Sequence, residues 1–160
     1  MIVTISVEDS TWDRVPGLEA LAERAVSAVA SAELRDSPES EVAILFTNDS
    51  EIENLNRNWR GNSRPTNVLS FPAPPGLPTP EGEPKFLGDI VLASGIVAQE
   101  AADQGKDFKI HTAHLIVHGM MHLLGHDHQS DAEAERMEAK EIRILRGLGI
   151  PDPYVASKLL

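Results

Sequence analysis

The sequence predicts an α+β fold, a small mixed sheet of about four strands with helices packed around it. Three observations point there. Short β-branched or wholly apolar runs recur at "IVTISV", "VAILFT", "NVLSF" and "LGDIVLAS". Between and after them, apolar residues recur at helical spacing. Segments rich in Gly, Pro, Asn and Ser separate the two kinds of run.

Taken in order, Ile2 to Val7 reads as a first strand because β-branched residues dominate it. From Leu18 to Leu34, positions 18, 21, 22, 25, 26 and 29 form the apolar stripe of a helix. Val42 to Thr47 is apolar on both faces, as in a central strand covered on both sides. Asn48 precedes Glu51 by three positions, a capping pair that opens a helix running to Trp59. "RGNSRPT" is turn chemistry, and "NVLSF" returns to a strand. The Pro-rich loop 72–85 follows; its six prolines, with Gly76 and Gly82, mark a mobile element beside a site or a plain excursion. "LGDIVLAS" is the next strand, with a helix through Ile96 to Ala102 after it. Phe108 to Leu124 is a long helix carrying histidines. Ser130 and Glu133 open a last helix to about Arg146, which Gly147 and Gly149 end. The tail 151–160 starts with Pro151 and Pro153, which keep it from continuing that helix.

At 160 residues the chain is expected to form one domain, 1–160, with 41% hydrophobic and 24% charged residues. No run is long and apolar enough to span a membrane, and the start has acids at Glu8 and Asp9 where a secretory signal would be basic. With no cysteine, any metal must be held by imidazole and carboxylate, and a cytoplasmic location fits. The net charge of −11 repels phosphate backbones unless basic residues are concentrated locally.

All six histidines lie between His111 and His128. His111, His114, His118 and His122, spaced three, four and four apart, line one helical face. Imidazoles four residues apart can converge on one ion. Gly125 can take a left-handed conformation and turn the chain back, which brings His128 in from outside the helix. His118, His122 and His128 are therefore the expected ligands of one zinc per chain, sited on the long helix and the turn after it. His114 with His118 is a rival pair, ranked lower because it leaves Gly125 and His128 without a role. Three histidines without thiolate or carboxylate suit a catalytic zinc with one position open.

The spacing is also that of the H-E-x-x-H protease helix, but Gly119 stands where the glutamate base belongs. Peptide hydrolysis needs that base, whereas phosphodiester cleavage can be driven by a metal and an arginine that stabilise anionic oxygens. Leu55 to Pro72 supplies Arg57, Arg60 and Arg64 with no acid, a local reversal of sign. Arg60, at the junction of helix and loop, is the candidate for facing a cleft; Arg57 and Arg64 suit a helix end equally well.

These residues resemble the YbeY family of bacterial endoribonucleases. Its motif H-G-x-L-H-L-x-G-Y-D-H is matched by His118, Gly119, Met120, Met121, His122, Leu123, Leu124, Gly125, His126, Asp127 and His128. Arg60 followed by Thr66 to Pro72 resembles the family's R…TDVLSFP, and Leu87 to Ile90 its L-G-D-I. Met121 replaces leucine, Asn67 replaces aspartate, and His126 replaces tyrosine, placing an extra imidazole beside the metal. The resemblance implies zinc on His118, His122 and His128, and Arg60 as essential for cleaving RNA. It also implies maturation of the 3′ end of small-subunit rRNA, ribosome quality control, and partners in RNA, the small ribosomal subunit and its proteins. Zinc-activated water would attack phosphorus while Arg60 stabilises the developing charge. His114, His126, Asp127 and Arg64 are candidates for supporting the ligands or touching substrate. The alternatives are a metalloprotease-like hydrolase and a non-catalytic ribosome-assembly factor with structural zinc.

Other features are expected to be structural. Trp12 and Trp59 are read as packing residues, and Met120, Met121 and Met137 as core. His111 is read as surface or a filler of the cleft wall, and the acidic run Asp131 to Glu141 as a solvated helix face.

Overall fold

A computed structural model of the protein describes residues 1–62, 64–127 and 129–154. The elements run β1 (Ile2–Val7), α1 (Leu18–Glu33), β2 (Ser40–Thr47), α2 (Asp49–Arg60), β3 (Val68–Pro72), β4 (Lys85–Ala93), α3 (Ser94–Asp103), α4 (Phe108–Leu123) and α5 (Asp131–Gly147). A 3₁₀ turn at Ser10–Arg14, not anticipated from the sequence, follows β1. It seats Trp12 against Phe46 with ring centroids 5.0 Å apart, and the indole N–H donates to the Thr47 carbonyl at 2.9 Å.

The sheet order is β1-β2-β4-β3, with β1, β2 and β4 parallel and β3 antiparallel to β4. This is the mixed four-stranded α+β architecture that the pattern of runs predicts. One face carries the larger core: Val42, Ile44 and Phe46 of β2 and Ile90 and Leu92 of β4 meet Val26 and Val29 of α1 and Ile116 and Met120 of α4. The other face carries a smaller cluster, in which Ile52 of α2 packs with Leu69, Val91 and Ala93. The strand β2 is central, but only one of its faces is sealed. Ala43 and Leu45 on the α2 side are half-buried, and on β1 that side leaves Ile2, Thr4 and Ser6 exposed. Met120, Met121 and Met137 are core residues as expected.

The Pro-rich segment joins β3 to β4, the antiparallel pair, and Leu77 within it is 65% exposed. A bulge at Leu87 breaks the pairing of β4 with β2 between Glu41 and Val42, and it explains the glycine after it. Gly88 has φ 140°, and a Cβ there would lie 2.3 Å from the Phe71 carbonyl oxygen on β3. A side chain would face both left-handed strain and a backbone overlap. Gly88→Ala is expected to destabilise the protein by roughly 2–5 kcal/mol, read by urea denaturation.

Candidate metal centre and cleft

The helix α4 starts at Asp107, whose carboxylate accepts from the Lys109 N–H at 2.8 Å. It runs between the sheet and the helices α1, α3 and α5, so its residues from His111 to Val117 are all buried. It ends as predicted. Gly125 has φ 92° and donates its N–H to the His122 carbonyl, while the His126 N–H reaches the Met121 carbonyl, both at 3.0 Å. This pair of bonds is a Schellman turn. Its consequence is chemical: the turn aims the His126 carbonyl at His122, whose Nδ1 lies 3.0 Å from it.

A carbonyl only accepts, so Nδ1 of His122 carries the proton and the lone pair of the neutral ring sits on Nε2. His118 is set the same way from another direction. Its Nδ1 lies 2.6 Å from Oε1 of Glu141, which reaches in from α5. The two Nε2 atoms then face one another at 3.0 Å, with ring planes at 79°. Two zinc bonds of about 2.0–2.1 Å at a tetrahedral angle would separate their nitrogens by about 3.3–3.4 Å, so the pair suits a shared ion with little adjustment. A histidine with Nδ1 held by a carboxylate or carbonyl is the arrangement that orients metal ligands.

Glu141 was hidden in the acidic run and is a correction to it: the residue is fully buried, not part of a solvated face. Its other oxygen takes His114 Nε2 at 3.3 Å and the Tyr154 hydroxyl. Burial pushes its carboxyl up, but the hydrogen bonds from His114, His118 and Tyr154 outweigh this and hold it down at about 2. Burial and the neighbouring Glu141 charge push the Tyr154 hydroxyl up. The signal was present in the sequence. Glu141 shares the helical stripe of Met137, Ile144 and Leu145, a lone charge among buried positions. His114, His118 and Glu141 bring three ligand atoms within 4.8 Å of one another, so this group by itself also offers a place for a metal ion.

A cleft of about 1430 Å³ opens beside these residues. It is lined by His114, His118, His122, His126 and Asp127 on one side and by Arg60 and Arg64 on the other. The expected site residues within the described part of the chain therefore share one cavity; His128 lies outside the described residues. Between the two sides runs the edge strand β3, and Ser70 ties them together. The Arg60 guanidinium donates to the Ser70 carbonyl, and the Ser70 hydroxyl donates to the Gly119 carbonyl of α4 at 3.0 Å. Arg60 also lies over the Phe71 ring, 5.4 Å from its centroid. Arg64 follows the turn, its carbonyl accepting from the buried Asn56 amide at 2.7 Å.

His126 lines the cleft with its ring contact directed toward α1. Its Nε2 turns toward Glu33 on α1, 3.4 Å away, so it is the carbonyl and not the imidazole that His122 meets. His111 is buried and fills the cleft wall, bonded to Glu100 at 2.9 Å. Burial lowers its basicity, against the opposing pull of Glu100. Asn67 donates to the same Glu100 carboxylate at 3.0 Å, a contact that an aspartate at this position would turn into repulsion. Trp12 packs as expected, but Trp59 is 74% exposed.

The fold and the site together define an α+β protein with a histidine-bearing helix facing an arginine across the sheet edge. The chain belongs to the YbeY family. The family model described as Endoribonuclease YbeY matches residues 5–149. A relative named Endoribonuclease YbeY from Nitrobacter winogradskyi is 46% identical over 155 residues, covering 96% of this chain and 82% of that protein. One of the same name from Bradyrhizobium diazoefficiens is 50% identical over 149 residues, covering 89% and 79%. The solution structure of a Thermotoga maritima protein shares the fold, with TM-score 0.54 and 23% identity over 92% of this chain and 91% of the other. No helix among the described residues is long and apolar enough to cross a membrane.

Proposed function

We propose that the protein is a zinc-dependent endoribonuclease acting on single-stranded RNA, with the ion held by His118, His122 and His128 and with Arg60 as the catalytic cation. One observation carries the reading: the Nε2 atoms of His118 and His122 meet at 3.0 Å, each ring fixed through its other nitrogen, in the cleft that Arg60 lines. His114 and Glu141 are then supports. Both Glu141 oxygens already accept hydrogen bonds, so its role is to fix His118 and not to bind the ion directly.

Zinc bound there supplies Lewis acidity and a nucleophile at neutral pH. The chain's own residues supply position and field. Glu141 holds the proton on Nδ1 of His118, keeping Nε2 turned to the cleft. The Ser70 carbonyl and the Phe71 ring hold the Arg60 guanidinium at the rim, where it meets the non-bridging oxygens as charge develops. By its family we further assign maturation of small-subunit rRNA in the cytoplasm, with the small subunit and its proteins as partners.

Arg60→Ala is expected to lower RNA cleavage by roughly 10²–10³ with zinc content unchanged, the usual cost of losing one preorganised charge. His118→Ala is expected to lose both zinc and cleavage, and a chelator should abolish wild-type activity until zinc is restored. Equal cleavage by wild type and both variants removes the assignment.

A further inference from the structure

The outer end of α2 carries a feature that the cleft does not use. Trp59 is one of two tryptophans, and the other, Trp12, is 1% exposed. Trp59 continues the apolar stripe of Ile52 and Leu55, but α2 overruns the core by a turn and leaves the indole 74% exposed. Its surroundings are basic. Arg57 and Arg60 occupy the same last turn, Arg64 follows, and Leu55 to Pro72 contains no acid in a chain of net charge −11. The acids of this helix, Asp49, Glu51 and Glu53, all lie in its N-terminal half, before Leu55. Arg60 and Arg64 line the cleft, and Trp59, which directly precedes Arg60 on the last turn of α2, lies just beyond that lining.

We infer that Trp59 is a stacking platform for single-stranded RNA, holding a base of the strand whose scissile phosphate lies in the cleft, with Arg57 on the opposite flank of the same turn adding to the local positive field. This rests on the nuclease reading and extends it to a second point of contact. An exposed indole offers a flat surface to any base, and flanking arginines hold the backbone. Charge complementarity selects this occupant. A patch that is locally cationic on an anionic protein attracts a polyanion, and the rest of the surface repels it.

The test is equilibrium titration of the zinc-loaded full chain with a cleavage-resistant, phosphorothioate-linked single-stranded oligouridylate of about twelve nucleotides, within the range such grooves hold. Because Trp12 is buried, quenching of tryptophan fluorescence on binding reports Trp59. Trp59→Ala is expected to weaken binding by roughly five- to a hundredfold, the range for one lost base stack, with an unchanged unfolding midpoint. Trp59→Phe should recover most of the affinity. Arg57→Ala should reduce the salt slope by about one, whereas Trp59→Ala should leave that slope unchanged. Binding without quenching, or wild-type affinity in Trp59→Ala, overturns the platform while leaving the nuclease reading intact, and assigns the patch to a protein partner. Absence of RNA binding by the wild type overturns both.

Discussion

Gly119→Glu, which would restore the H-E-x-x-H pattern, is expected to unfold the protein or destabilise it by at least about 3–5 kcal/mol, with no peptidase activity gained. Position 119 does not face the cleft as a base would need to. A Cβ there meets Ile90 Cγ2 at 3.0 Å and Ser70 Oγ at 3.2 Å, because α4 packs against β3 and β4 at this point. A glutamate would bury a carboxylate among apolar side chains and break the Ser70 contact that ties α4 to the edge strand. Gly119→Ala separates crowding from charge. Its gain of about 0.8–1 kcal/mol in helix propensity offsets much of the cost of displacing the Ile90 methyl, so a near-neutral change is expected. Thermal melts of the two variants measure the contrast; a stable, folded Gly119→Glu would refute the packing account.

Glu141→Gln is expected to weaken zinc binding by about 10–100-fold, the usual cost of losing the partner that orients a metal-ligating histidine. An amide presents a donor where the carboxylate offered only acceptors, so His118, His114 and Tyr154 cannot all be satisfied. Competition with a chromophoric chelator gives the affinity without reference to turnover. In metal-free protein the variant should also lose about 1–3 kcal/mol of stability through an unsatisfied buried donor. The pH dependence has a definite sign. A carboxylate held at about 2 in the fold, against 4.5 when exposed, contributes stability above about pH 4.5 and loses it as the pH falls toward 2. The stability gap between wild type and Glu141→Gln should therefore narrow across that window, and a gap that widens on acidification would count against the assignment.

Much of this molecule was legible before its structure. β1 was read to the residue, and Asn48, Ser130 and Gly125 marked helix ends where their side chains or conformations now cap them. The histidine spacing placed His118 and His122 together because four residues bring side chains to one face. What was missed had long-range causes. Glu141 lies 23 residues from His118, and only the packing of α5 on α4 joins them. Trp59 fits a packing stripe by its spacing, and nothing local tells that the core stops a turn earlier. The role of Ser70 came from strand order: among the described residues β3 pairs with β4 alone, which leaves the Ser70 carbonyl to Arg60 while its hydroxyl reaches Gly119 of the histidine helix.

Ser70 has a mechanical consequence. One residue grips the guanidinium through its carbonyl and the histidine helix through its hydroxyl, so the two jaws of the cleft are riveted across a single strand. These two bonds fix the spacing of the Arg60 and α4 sides at this point of the cleft. On the nuclease reading proposed above, the work of conforming would fall to the RNA, and unpaired segments would enter more readily than a stiff duplex.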